Sequence, residues 1–256
     1  MTRKSEQDRQ SVDEFVAVLD AAEQTPGAME LRQYSYQLLR MEPGASAVDV
    51  GCGTGRAVAE LRDLGVKAVG IDPAEQMIAI ARRRWSEADF RVAGANELPF
   101  ADGSMSGYRA DKVFHELPAP RRALKEARRV LVRGGRIALI GQDWDTVVVD
   151  SDDPALTRAI VHARADQVAA PRAARRYRNL LLDTGFIDVA VQVRTGIFTG
   201  TAALPLLTGL AEGARLSGAV PDDRADAWLA KQRARAEADR LFLALPLFVA
   251  SATASC

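Results

Sequence analysis

The 256-residue sequence predicts an α/β fold, a largely parallel, doubly wound sheet covered by helices on both faces. Two observations predict it. Short β-like runs alternate with helical patterns at near-regular intervals as far as Asp143, and a glycine-rich turn joins the first run to the first helix. Ala45 to Gly51 reads as a buried strand, and Arg56 to Leu64 as a helix with Val58, Leu61 and Leu64 at helical spacing. Val66 to Ile71 is a second strand, Ala74 to Trp85 a helix with Met77, Ala81 and Trp85 on one face, and Asp89 to Ala93 a third strand. Gly107 to Val113 and Arg136 to Gly141 supply two more, separated by a helix over Pro120 to Leu131 that Gly134 and Gly135 are expected to close. In such sheets ligands bind outside the carboxyl ends of the strands, where strand order reverses.

The flanks are less regular. Val12 to Met41 is amphipathic in two pieces broken at Thr25-Pro26-Gly27 and reads as helices covering the ligand. After Asp143 the pattern predicts helices near Ala155 to Ala169 and Arg172 to Asp183, a strand at Ile187 to Arg194, and a glycine-punctuated segment to Gly218. A charged helix, Asp222 to Arg240, leads into a last apolar strand. Pro246 strains that strand, because proline cannot donate to a ladder, so a bulge or a later start is expected. The resulting division is a helical lid over 1–42, a ligand-binding core over 43–143, and a substrate region completing the sheet over 144–256.

Composition removes several classes of function. Thirty-four basic residues balance 34 acidic ones, so the electrostatic footprint of a nucleic-acid binder is missing and a small or neutral partner fits better. Cys52 and Cys256 have no ligand-like spacing, which predicts neither a disulfide framework nor a metal site, and a reducing cytoplasm is the default location. Residues 1–14 lack the apolar stretch of a signal peptide. The longest apolar run, Leu241 to Ala250, is about half of what a bilayer requires. Oligomeric state is not legible.

Val48-Asp49-Val50-Gly51-Cys52-Gly53-Thr54-Gly55 sits at the first strand-to-helix turn, where glycine permits positive φ and close approach of a ligand to backbone. A dinucleotide fingerprint would require GxGxxG; here Arg56 follows a GxGxG spacing, which disfavours nicotinamide cofactors. The next strand ends in Gly70-Ile71-Asp72, placing a carboxylate to accept both hydroxyls of a ribose.

DVGCGTG followed by GIDPA resembles the first two motifs of class I S-adenosylmethionine-dependent methyltransferases. Gly94-Ala95-Asn96-Glu97-Leu98-Pro99-Phe100, then Asp102-Gly103-Ser104, is similar to a stretch of the small-molecule branch related to quinone-biosynthesis enzymes. His115-Glu116-Leu117 and Arg128 to Arg136 continue the series, so that the resemblance spans roughly Pro43 to Gly141. It implies a Rossmann-like, seven-stranded sheet whose last strand is antiparallel. It also implies S-adenosylmethionine as methyl donor, with S-adenosylhomocysteine as product. Donor contacts are then expected from Gly51, Cys52, Gly53, Asp72, Pro73, Met77, Ala95, Asn96, Glu97 and Asp111, with Arg32 meeting the donor carboxylate. Ala95 stands where the family usually has an acidic residue for the adenine amino group, which shifts that role to the backbone near Asn96 or to the side chains of Asn96 or Glu97.

Methyl transfer from a sulfonium is an in-line displacement, so holding the nucleophile against the methyl carbon supplies most of the catalysis, and a general base is optional. His115 and Asp143 are the catalytic candidates, and Tyr34, Tyr36 and Trp144 the candidates for a substrate wall. A small, partly apolar acceptor, as in secondary metabolism, is the expected substrate. The alternatives are a methyltransferase-like protein that binds the sulfonium without transferring methyl, either a cyclase or a non-catalytic scaffold.

Overall fold

The computed structural model of the chain describes residues 16–255. The expected lid over 1–42 therefore lies partly, and the reading of residues 1–14 and of Cys256 wholly, outside the described residues. Residues 16–23 are helical, and after the break at Thr25 comes α1 (Pro26–Leu39), with its proline in the first turn, where a missing N–H costs nothing. The alternating core follows: β1 (Ser46–Val50), α2 (Arg56–Asp63), β2 (Lys67–Asp72), α3 (Glu75–Arg84), β3 (Asp89–Val92), β4 (Met105–Asp111), α4 (Pro120–Val130) and β5 (Leu131–Gln142). The remainder is β6 (Val148–Val149), α5 (Pro154–Asp166), α6 (Tyr177–Asp183), β7 (Phe186–Phe198), α7 (Leu204–Leu216), α8 (Asp222–Glu237) and β8 (Leu243–Ala254).

The sheet has eight strands, one more than expected, joined in the order β3-β2-β1-β4-β5-β8, with the two-residue β6 and the long β7 both pairing with β8. The first five are mutually parallel, and β8 runs antiparallel to β5 on one edge and to β7 on the other. The chain order reverses between β1 and β4, so the switch point lies beside the glycine turn, as the alternation predicted. One face of the sheet buries Val48, Val50, Tyr108 and Ile137 under α4 and α6; on the other, Ala47 and Phe90 pack with Val58 and Leu61 of α2 and with Ile78 and Ala81 of α3. Leu31 of α1 packs with Ile140 and Val249, so this helix lies on the sheet. A separate apolar cluster, including Ile160, Leu207, Leu210 and Trp228, builds a helical cap from α5, α7 and α8.

Four further expectations are corrected. Gly134 and Gly135 do not close α4, which ends at Val130 with Leu131 already extended; Gly134 (φ 79°) turns a bulged excursion inside β5. The glycine-punctuated segment contains a helix, α7, in which a side chain at Gly213 would come within 3.1 Å of Gln167 and 3.2 Å of Arg164, so glycine there serves close packing against α5. The helix expected from Arg172 begins only at Tyr177, after a short 3-10 turn. The last strand runs through Pro246. Pro246 pairs with Thr195 of β7 and, on the other edge, falls between Leu247, where pairing with β5 stops, and Ala244, where pairing with β6 starts.

Candidate functional site

The glycine turn is tied to β2 by two bonds: Gly51 N–H and Cys52 N–H both donate to the Ile71 carbonyl, at 2.7 and 3.0 Å. Gly51 (φ 70°) and Gly55 (φ 88°) are required for packing. A Cβ on the first would lie 2.3 Å from Val113, and on the second 2.6 Å from the Phe90 ring. Gly53 (φ 52°) differs, because a Cβ there would meet nothing within 4 Å. It is the open member of the turn, on the side where a ligand can approach. Cys52 is buried, and burial pushes its thiol well above the usual range, so it is not a nucleophile.

Asp72 ends β2 with its Oδ2 accepting from Gly53 N–H (3.0 Å) and its Oδ1 from Ala74 N–H (2.9 Å). Each oxygen keeps further acceptor capacity. Pro73 is exposed and Met77 half-buried beside it, while Ala95 is packed into the core. Asn96 is half-buried, and its Oδ1 is sealed from solvent without a hydrogen-bond partner; Glu97 is exposed. The loop carrying these residues is pinned by α4. Glu126 accepts from Leu98 N–H (2.7 Å), and Arg129 donates to the carbonyls of Leu98 (3.2 Å) and Phe100 (2.9 Å).

Beneath the turn lies a charged network that motif reading did not assign. Arg109 of β4 is opposite Asp49 of β1 in the parallel register. Its buried guanidinium donates to Asp49 Oδ1, Asp111 Oδ2 and Ser35 Oγ, each at 2.8 Å. Burial works against this charge, but the two carboxylates outweigh it and hold the pKa above the ordinary arginine value. Asp111 also receives Lys112 Nζ at 2.7 Å; burial pushes its carboxyl up, and Lys112 and Arg109 more than reverse this, leaving it below the usual range. The readable signal was opposite charges embedded in two strands that otherwise read as core.

His115 follows β4. Its Nε2 lies 3.0 Å from Glu116 Oε1, its Nδ1 is buried without a partner, and its ring meets the Trp144 ring edge-on at 5.7 Å. Burial lowers the imidazole pKa, with Glu116 opposing the shift and Arg164 and Lys112 adding to it, so the ring is held neutral. Trp144 is built into the cap cluster, its indole N–H is also buried without a partner, and Arg164 stacks on it at 4.9 Å.

The remaining candidates are engaged elsewhere. Asp143 is fully buried and accepts both from Arg175, with Nη2 at 2.7 Å, and from Asp145 N–H, so it is a structural counterion and not a free base. Arg32 is held by Glu60 through two 2.8 Å bonds and by the Glu23 carbonyl. Tyr36 also donates to Glu60 (3.0 Å) and packs against the Arg109 guanidinium. Tyr34 turns to β7, donating to Gln192 at 3.0 Å beneath Arg194. All four side chains are thus engaged within the protein. Ahead of α1, Glu23 pairs with Arg56 at the first turn of α2 and Asp20 with Arg84 at the end of α3.

The glycine turn, Asp72, Asn96, Asp111, His115 and Trp144 thus share one rim, at the carboxyl ends of β1 to β5. An open glycine at a switch point, with a carboxylate on the neighbouring strand, defines a Rossmann-like binder of a nucleoside-bearing ligand. The family described as "Methyltransferase domain" matches residues 48–139. The uncharacterized 37.1 kDa protein of transposon TN4556 from Streptomyces fradiae is 31% identical over 255 residues, covering 96% of this chain and 73% of that protein. An O-methyltransferase of Pyrenophora dematioidea is 30% identical over 169 residues, and the match spans 61% of each chain. The YcgJ protein of Bacillus subtilis shares the fold, with a TM-score of 0.62 at 15% identity, over 88% of this chain and 98% of that one. This chain belongs to the class I S-adenosylmethionine-dependent methyltransferases. No helix among the described residues is long and apolar enough to cross a membrane.

Proposed function

We propose that the protein transfers a methyl group to a hydroxyl of a small, partly apolar molecule of secondary metabolism, with His115 as general base. The observation that carries this reading is the buried, unpartnered Nδ1 of a neutral His115 on the same rim as the glycine turn. Glu116 accepts a hydrogen bond from Nε2–H, which leaves the lone pair on Nδ1. S-adenosylmethionine supplies an electrophilic methyl on sulfur when bound. This chain's residues fit it: Gly53 leaves room for its backbone-facing edge, Asp72 retains lone pairs for its ribose hydroxyls, and Asn96 Oδ1 is an acceptor awaiting an amino group such as that of adenine. The Asn96 side chain then takes the role that Ala95 lacks. Asp111, already anionic, suits the donor's ammonium.

The chemistry balances with these parts. As the acceptor oxygen forms its bond to the methyl carbon, the carbon–sulfur bond breaks, its electrons stay on sulfur, and the hydroxyl proton passes to His115 Nδ1. The cap formed by α5, α7 and α8, with Trp144 at its root, supplies apolar surface for the acceptor. The O-methyltransferase relative supports an oxygen nucleophile. The test is incubation with methyl-deuterated donor and a panel of phenolic and enolic acceptors, read by mass. Products heavier by one deuterated methyl support transfer; acceptors rearranged without gain in mass would favour the cyclase reading instead.

A further inference from the structure

β7 is 13 residues long and is the outermost strand beside β8. Exposed strand edges invite pairing with another chain and are usually blunted by shortness, charge or proline. The opposite end of the sheet follows that rule, since β3 has four residues and carries the exposed Asp89–Arg91 pair. β7 follows it only in part: its sequence FIDVAVQVRTGIF contains neither lysine nor proline, and its charge is confined to Asp188 and Arg194. Its one irregularity is at the start, where Asp188 (φ 52°) forms a bulge between Ile187 and Ala190, and the strand is regular from there. Gln192 and Arg194 contact Tyr34 on the α1 face. On the alternate face Val191, Val193 and Ile197 are 38%, 53% and 62% exposed, because the seven-residue α6 reaches only the beginning of the strand.

We propose that this edge pairs antiparallel with the same edge of a second copy of the chain, across a two-fold axis at Val191. Charge fixes both occupant and register. Asp188 and Arg194 are the only charged residues of β7, and they lie three positions to either side of Val191. Self-pairing about that residue sets Val193 against Val189 and Gln192 against Ala190. It brings Arg194 of each copy to the bulge that holds Asp188 of the other, and both contacts are lost if the register slips by two residues. The interface is isologous, so pairing closes at the dimer and consumes the edge that would otherwise propagate.

Sedimentation velocity of the full chain across a concentration series tests this, with Val193→Lys as the disrupting variant. The wild type is expected to dimerise. The variant should be monomeric, with unchanged circular dichroism, because the side chain is exposed. A second measurement reads the register. In a Cys256→Ser background, Val191→Cys should form an inter-copy disulfide on mild oxidation, since paired residues on the axis have Cα atoms at bridging distance. Ile197→Cys should not. A wild type that stays monomeric, a dimer that survives Val193→Lys, or cross-linking at 197 in place of 191 would each overturn the proposal.

Discussion

His115 and Arg109 are both buried polar residues on or beside β4, yet they do different work. The imidazole keeps an unpaired acceptor, whereas every arm of the guanidinium is satisfied. Removing each therefore has a different outcome. His115→Asn should lower kcat by about 10²–10⁴-fold while leaving donor affinity unchanged, which steady-state kinetics beside calorimetry would separate. The activity of the wild type should fall on the acid side, with its limb below the ordinary histidine value, because burial lowers this pKa. The same shift affects stability. Protonation is easier in the unfolded chain, so His115's contribution is complete above the usual imidazole range and is lost as pH falls through the window beneath it. Arg109→Met leaves Asp49 buried without its counterion and Asp111 with Lys112 alone, and should cost about 3–5 kcal/mol in denaturant unfolding. Sequence reading singled out Gly53, Asp72 and His115 from local position alone, since each lies at or just after a strand end. It could not see what Asp143 and Arg32 are bonded to, because their partners, Arg175 and Glu60, are 32 and 28 residues away and only the fold brings them together.

At the scale of elements, α4 acts as a clasp for the loop between β3 and β4. Arg129 bonds two of that loop's carbonyls and Asp102, and Glu126 takes the Leu98 N–H. Arg129→Met should free the loop, giving faster amide exchange over residues 96–102 and weaker donor binding with the sheet intact. Equal exchange rates in the two proteins would show that the clasp is not what orders the loop. The cap has its own tie, a buried bond from Trp228 Nε1 to Thr157 Oγ1 at 2.9 Å. Trp228→Phe should therefore destabilise by about 0.5–1.5 kcal/mol, the scale of one lost hydrogen bond, since Thr157 Oγ1 keeps its bond to the Asp153 carbonyl. The cap was the least legible part of the chain. Gly209 and Gly213 read as turn punctuation, but Gly213 is selected by the closeness of α5, a tertiary constraint with no local signature. The double glycine after α4 misled for the opposite reason: its positive φ was anticipated, but the strand uses it and the helix does not.

For the whole molecule, the alternating pattern was sufficient to read the parallel sheet, its switch point and the rim where ligand chemistry collects. Periodicity of two and of 3.6 residues are the strongest signals a sequence carries. That the last strand runs antiparallel came from family resemblance, and its place between β5 and β7 was not read at all, since strand order at an antiparallel end is not encoded in periodicity. Everything proposed at the rim depends on the donor lying over Gly53 against Asp72. Calorimetric titration of S-adenosylmethionine into the wild type and Asp72→Ala tests that most directly. We expect saturable binding by the wild type, and affinity weaker by about 1–3 kcal/mol, or roughly 5- to 150-fold, in a variant that remains folded. A folded wild type that does not bind, or a variant that binds equally well, would contradict the account.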